Sequence, residues 1–331
     1  MFESHKVPGL ALATLTLSAV LASCGQPQNA AVPGVQSGLA AAPATVPATV
    51  PATAPVNVSG LPVDPYLTSS PLQEQATEPY NITLKFAPGS SASVVSAMQS
   101  AATRWQRVIA RGLPSYSANI PAGSCGSNAA YAGTIDDLLV FTGNTAIDGP
   151  GGILAQSGPC SIRSASGLTT YSTLVFDTAD LSAFSSQLAD IAVHELGHSL
   201  GIGTLWQQFG LVSGIGGTNP TYKGVSGLRE YRAAGGTLST VPVENQGGPG
   251  TAGGHWRETV FKTELMTGYL NSGVLNPLSR MSVGSLQDMG YTVNYGAADA
   301  YAIPSLNGQA VGELLDLGGR EQLITPKYRS E

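Results

Sequence analysis

The sequence predicts an α+β fold. Short strand-like runs come first, one amphipathic helix lies among them, and a second helix follows the last run, without the regular strand–helix alternation of a parallel α/β fold. The chain has 331 residues, 42% hydrophobic and only 11% charged, enough for one good-sized core. Its 41 glycines and 22 prolines signal many loops. A formal charge of -6 without any basic stripe argues against a nucleic-acid partner.

The N-terminus reads as an address. His5 and Lys6 precede an apolar run from Leu10 to Ala22, too short for a membrane span, which describes a secretory signal over residues 1–24. Leu21-Ala22-Ser23-Cys24 resembles the bacterial lipoprotein box, which implies lipidation of Cys24 and anchoring in the cell envelope, at the outer membrane or cell surface. An ordinary signal carrying a cysteine is the plainer alternative. From Gly25 to Gly60 there is no charge, and Pro-Ala-Thr-Val at 43–46 recurs at 47–50. Proline at this frequency favours extended chain, so residues 25–76 read as a tether.

Packed structure is expected from residue 77. Ile82–Phe86 alternates like a strand, and Ser93–Arg111 carries Val94, Met98, Ala101, Trp105 and Val108 on one helical face. Asp137–Phe141 reads as a buried strand, Gly152–Gln156 as a short edge strand, and Thr170–Asp177 as the next strand. A second helix is expected over Ser185–Gly201. Cys125 and Cys160 remain once Cys24 is set aside; in an exported chain they most simply form a disulfide, two buried thiols being the alternative.

That second helix carries His194-Glu195-Leu196-Gly197-His198. Histidines at i and i+4 share a face and can grip one metal ion, with Glu195 beside them as a base rather than a ligand. Chance would produce His-Glu-x-x-His only roughly 0.002 times in such a chain. A catalytic zinc ion usually has three protein ligands and one open position. His5 leaves with the signal, so His255, in Gly254-His255-Trp256, completes the set from the four histidines present. Glu230 and Glu244 are the rival carboxylate ligands.

Together, His194-Glu195-x-x-His198-x-x-Gly201, a long insertion, Gly254-His255-Trp256 and Glu264-Leu265-Met266-Thr267-Gly268 resemble the leishmanolysin-like metalloproteases, a branch of the metzincins. Asn276–Arg280 and Asp288–Tyr291 also look like that family's closing segments. The compact metzincin pattern would put its third histidine at Thr204, so the long-insertion branch fits better. The resemblance implies a metzincin-like domain over 77–305, divided near residue 203. It would have a mixed twisted sheet, an active-site helix and a loop-rich C-terminal subdomain whose Met266 forms a Met-turn beneath the metal. Residues 306–331 are left as a tail.

The implied function is a zinc-dependent endopeptidase acting on proteins or peptides, with one catalytic zinc ion on His194, His198 and His255 and with Glu195 as general base and acid. An extended substrate would join the edge strand at 152–156. A non-catalytic, zinc-stabilised surface adhesin or binding module is the competing class. Three histidines with an adjacent glutamate favour the open, catalytic site.

Overall fold

The computed structural model describes residues 58, 60–69, 78–248, 250–304 and 314–330. The expected signal, Cys24 and most of the expected tether lie outside the described residues. Strand β1 (Leu67–Ser69) comes first, then β2 (Ile82–Phe86), at the bounds the alternation gives. Helix α1 (Ala92–Val108) starts at Ser91, whose hydroxyl accepts the Val94 N–H at 3.3 Å, and buries Val94, Met98, Ala101, Trp105 and Val108. It stops before the expected Arg111 because Ile109 turns extended and bridges Val293.

Strands β3 (Tyr116–Ile120) and β4 (Tyr131–Ile135) pair antiparallel, and β1 joins β3. β5 (Leu138–Thr145), β6 (Ala155–Ile162) and β7 (Thr169–Asp177) build the main sheet on β2. β2, β5 and β7 run parallel, and β6 runs antiparallel to β7. The strand expected at Gly152 therefore starts at Ala155, and it is not an edge, because β6 carries β7 on one side and C-terminal strands on the other. Asp148 and Gly149 N–H groups bind the Asp177 carboxylate, which holds residues 148–151 in a turn instead. Cys125 and Cys160 are joined, with Cα atoms 5.7 Å apart, tying the loop after β3 to β6. Closing a loop of this size stabilises the fold by about 3–4 kcal/mol in the chain-entropy model.

Helix α2 (Leu188–Leu200) packs under the sheet, and α1 locks to it where Trp105 Nε1 donates to Val193 O at 2.8 Å. Beyond it lie the short β8 (Val212–Ser213) and β9 (Thr221–Tyr222), α3 (Val225–Ala233), β10 (Val241–Pro242), the single turn α4 (Glu258–Phe261), β11 (Tyr269–Asn271) and α5 (Arg280–Met289). The core is continuous from α1 and the sheet through α2 to Trp206, Trp256, Met266 and Leu286. This is the α+β arrangement, with a mixed twisted sheet, that the sequence predicts. Among the described residues no helix is long and apolar enough to cross a membrane.

Ordered chain extends past both boundaries set from sequence. At the N-terminal side, Asp64 and Leu67 are buried within the stretch read as tether. At the C-terminal side, β12 (Leu314–Asp316), β13 (Glu321–Leu323) and β14 (Tyr328–Arg329) occupy the stretch read as a tail. β12 pairs with β11, while β13 and β14 both run parallel along β6.

Candidate active site

Leu188, Ile191, Ala192, Leu196 and Leu200 anchor α2 in the core, and the same helix presents His194, Glu195 and His198, all fully buried. Gly197 stands between them because a Cβ there would lie 2.9 Å from Met266 Sδ and 3.1 Å from Trp105 Cζ2. Met266 thus packs directly against the motif helix. The helix ends at Gly201, whose φ of 115° favours glycine. The turn brings the Ile202 carbonyl to His198 Nδ1 at 2.8 Å. Thr204, where the compact pattern would have its histidine, instead donates its hydroxyl to the His198 carbonyl at 2.7 Å.

His255 arrives from the far side of the insertion. The Glu244 N–H donates to the His255 carbonyl and the Gly253 N–H to the Glu244 carbonyl, both at 2.9 Å, which fixes this strand-like stretch. Trp256 then stacks near Trp206, with ring centroids 4.4 Å apart, and donates Nε1 to Ser282 Oγ. The Met-turn is organised by buried Glu264. It accepts the Met266 N–H at 2.6 Å, while Ser279 and Ser282 hydroxyls bind its other oxygen at 2.6 Å. In turn the Leu265 carbonyl takes His194 Nδ1–H at 2.7 Å.

Each ring is therefore oriented by a carbonyl at Nδ1, since Thr251 O takes the His255 Nδ1–H at 3.0 Å. A carbonyl can only accept, so each Nδ1 carries a proton; in the neutral ring, the form that binds a metal, each Nε2 then turns a lone pair inward. The three Nε2 atoms lie 2.9, 3.0 and 3.2 Å apart. Lone pairs this close repel unless a cation sits among them. Zn–N bonds of ~2.0–2.1 Å in a tetrahedron would space the nitrogens by ~3.3 Å, close to the observed triangle. The donor set fits zinc.

Two carboxylates complete the site. Glu195 Oε2 accepts the Ser157 hydroxyl at 2.5 Å, and Oε1 has no hydrogen-bond donor among the described residues. Burial first, and the Glu321 carboxylate next, push the Glu195 carboxyl above the usual range. Glu321 reaches the rings from β13, with Oε1 at 2.8 Å from His255 Nε2 and Oε2 at 3.4 and 3.6 Å from those of His194 and His198. Ligand atoms of His194, His198, His255 and Glu321 all lie within 4.8 Å of one another.

With that geometry in place, the family description "leishmanolysin", peptidase family M8, matches residues 127–308, more than half of the chain and all of the histidine cluster. The chain belongs to the leishmanolysin family. No curated protein matches it. The leishmanolysin assignment makes this chain a metalloprotease of a zinc-dependent family, and its four-residue cluster is a potential metal site.

The structure brings together every ligand candidate of the histidine set and sets the rivals apart. Glu230 accepts Arg229 Nε and Arg280 Nε at 2.8 and 2.6 Å, which makes it a buried ion-pair hub and not a metal ligand. Glu244 accepts the N–H groups of Asn245, Gln246 and Glu258. Sequence reasoning missed Ser157, Glu264 and Glu321. The last had one usable signal: Leu314, Leu315 and Leu317, then Gly318-Gly319, then Leu323 and Ile324 look like two strands about a glycine turn.

Proposed function

We propose that this leishmanolysin-family chain is a zinc-dependent endopeptidase in which His194, His198 and His255 hold one catalytic zinc ion and Glu195 is the general base and acid. The observation that carries it is the convergence of three inward Nε2 atoms beside a glutamate with one oxygen free of donors among the described residues. Zinc, when bound there, supplies Lewis-acid polarisation of a peptide carbonyl and lowers the pKa of an attacking water towards ~7. The work of the chain is positioning and proton transfer. Glu195 Oε1 takes the proton of the attacking water, and the same carboxyl returns it to the leaving amine. Ser157 fixes the other oxygen, so that Oε1 keeps its direction through both transfers. Burial favours the protonated form that Glu195 must adopt between them. Met266 and the Leu265 carbonyl hold the histidine face from beneath. An extended peptide would lie along the side of β6 that β13 holds in this structure, and so present its main chain to the cluster.

The test is cleavage of an unfolded protein by the purified chain, with internal peptide products identified by mass. Zinc-dependent cleavage that a chelator stops and added zinc restores is expected. Zinc binding without cleavage, even in a Glu321→Ala form, would favour the binding-module reading. The family match and buried donor set favour the enzyme. By the same signal reading, the mature chain is exported and held at the cell envelope by lipid on Cys24.

A further inference from the structure

The cleft already has an occupant. β13 lies parallel to β6, with Glu321, Gln322 and Leu323 facing Ala155, Gln156 and Ser157 in register. The ladder continues beyond the strand: Leu154 N–H donates to Arg320 O at 2.5 Å, Ile324 N–H to Ser157 O at 2.7 Å, Lys327 N–H to Cys160 O at 2.9 Å and Ser330 N–H to Ile162 O at 2.7 Å. This is the same edge an extended substrate would need. Gly158 permits the approach, because a Cβ there would collide with the Ile324 carbonyl. Glu321, 6% exposed, then delivers its carboxylate to the three ring nitrogens.

Both ends of the strand are tied down. Upstream, the Leu317 and Gly318 N–H groups donate to the Gly268 carbonyl just after the Met-turn. Downstream, Arg329 Nε donates to the Leu61 carbonyl, and Ser330 Oγ donates to Tyr116 Oη at 2.8 Å. The strand therefore runs from the Met-turn side of the site to the β1–β3 side, along the whole of β6.

We infer that residues 314–330 form a built-in inhibitor, in which β13 fills the substrate edge and the Glu321 carboxylate takes the position on the metal that catalysis needs open. This rests on the zinc peptidase reading above. A catalytic zinc site keeps three protein ligands and an open fourth position; four protein ligands close it. A side-chain carboxylate, not a main-chain carbonyl, is what reaches the rings, so no peptide bond of the strand is presented for attack. Because the inhibitor is tethered, its effective concentration is on the order of millimolar, and an outside peptide must compete with it. Latency then needs no separate cysteine: Cys125 and Cys160 are consumed in the disulfide. Activation is displacement or cleavage of this segment.

The experiment compares the zinc-loaded full chain with Glu321→Ala and with a form ending at Leu317, which keeps β12 and removes β13 and β14. Two quantities are read: zinc content together with affinity for a small peptide hydroxamate, which chelates zinc through an open position, and the rate of cleavage of an unfolded protein. Apparent hydroxamate affinity is reduced by the closed fraction, so both variants should bind at least about tenfold more tightly than the full chain while keeping one zinc. Their cleavage rates should rise by a similar factor. Tighter hydroxamate binding without any cleavage would leave the inhibitor in place and reject the peptidase reading. Equal hydroxamate affinity in all three forms would overturn the inference. So would loss of zinc on Glu321→Ala, which would make Glu321 a required structural ligand.

Discussion

In the proposed role of general base, Glu195 sits under two opposed demands: it would be a carboxylate to accept a proton and would keep that proton in a fully buried site. Ser157 donates to the ionised form, while burial favours the neutral one. Glu195→Gln preserves shape and removes the basic oxygen. Its cleavage rate should fall by about 10²–10⁴, the usual worth of a general base, with zinc content unchanged, as metal analysis beside a rate assay would show. A near-normal rate would assign the base elsewhere. Glu258 is another of the buried carboxyls, outside the metal cluster. Burial pushes it up to about 7 from 4.5, with Lys262 offsetting part of the effect. A raised acid pKa means that stability falls as pH climbs from about 4.5 to about 7, where the unfolded chain has released a proton that the folded one keeps. Glu258→Gln should therefore match the parent in thermal melts near pH 4 and exceed it above pH 7, by roughly 1–2 kcal/mol after allowance for partial exposure. A gain that is the same at both pH values would reject the assignment.

At the scale of elements, α2 was legible because its chemistry is local. Leu188, Ile191, Leu196 and Leu200 repeat at helical spacing, Gly201 stops the helix, and the two histidines fall on one face. His255 was legible by exhaustion of the histidines and by its Gly-His-Trp setting. What sequence left out depends on partners far along the chain. α1 loses the turn to Arg111 because Ile109 pairs with Val293. Glu321 means nothing until β13 is laid along β6, and Glu264 means nothing until Ser279 and Ser282 close around it. Gly197 shows contact between distant elements acting on a single position. Gly197→Ala should cost roughly 1–3 kcal/mol by overpacking against Met266. Adding Met266→Ala to it should cost less than Met266→Ala costs in the parent, a coupling that a double-mutant cycle in denaturant would read. Strict additivity would mean that the Met-turn does not bear on the motif helix.

Across the whole molecule, a sheet, a motif helix and a loop-rich lower part meet at one buried cluster. The N-terminal address, by contrast, is read from sequence alone. If Cys24 is lipidated, mass spectrometry of the mature protein should find acylated cysteine as its first residue; a different, free N-terminus would reject the anchor. The central claim is that three histidines from two distant stretches hold one zinc ion. Native mass spectrometry and metal analysis of the full chain beside His255→Ala test it most directly. The parent and Glu195→Gln should carry one zinc per chain, and His255→Ala should lose it at the same free zinc concentration. Full zinc occupancy in His255→Ala, or none in the parent when zinc is supplied, would contradict it.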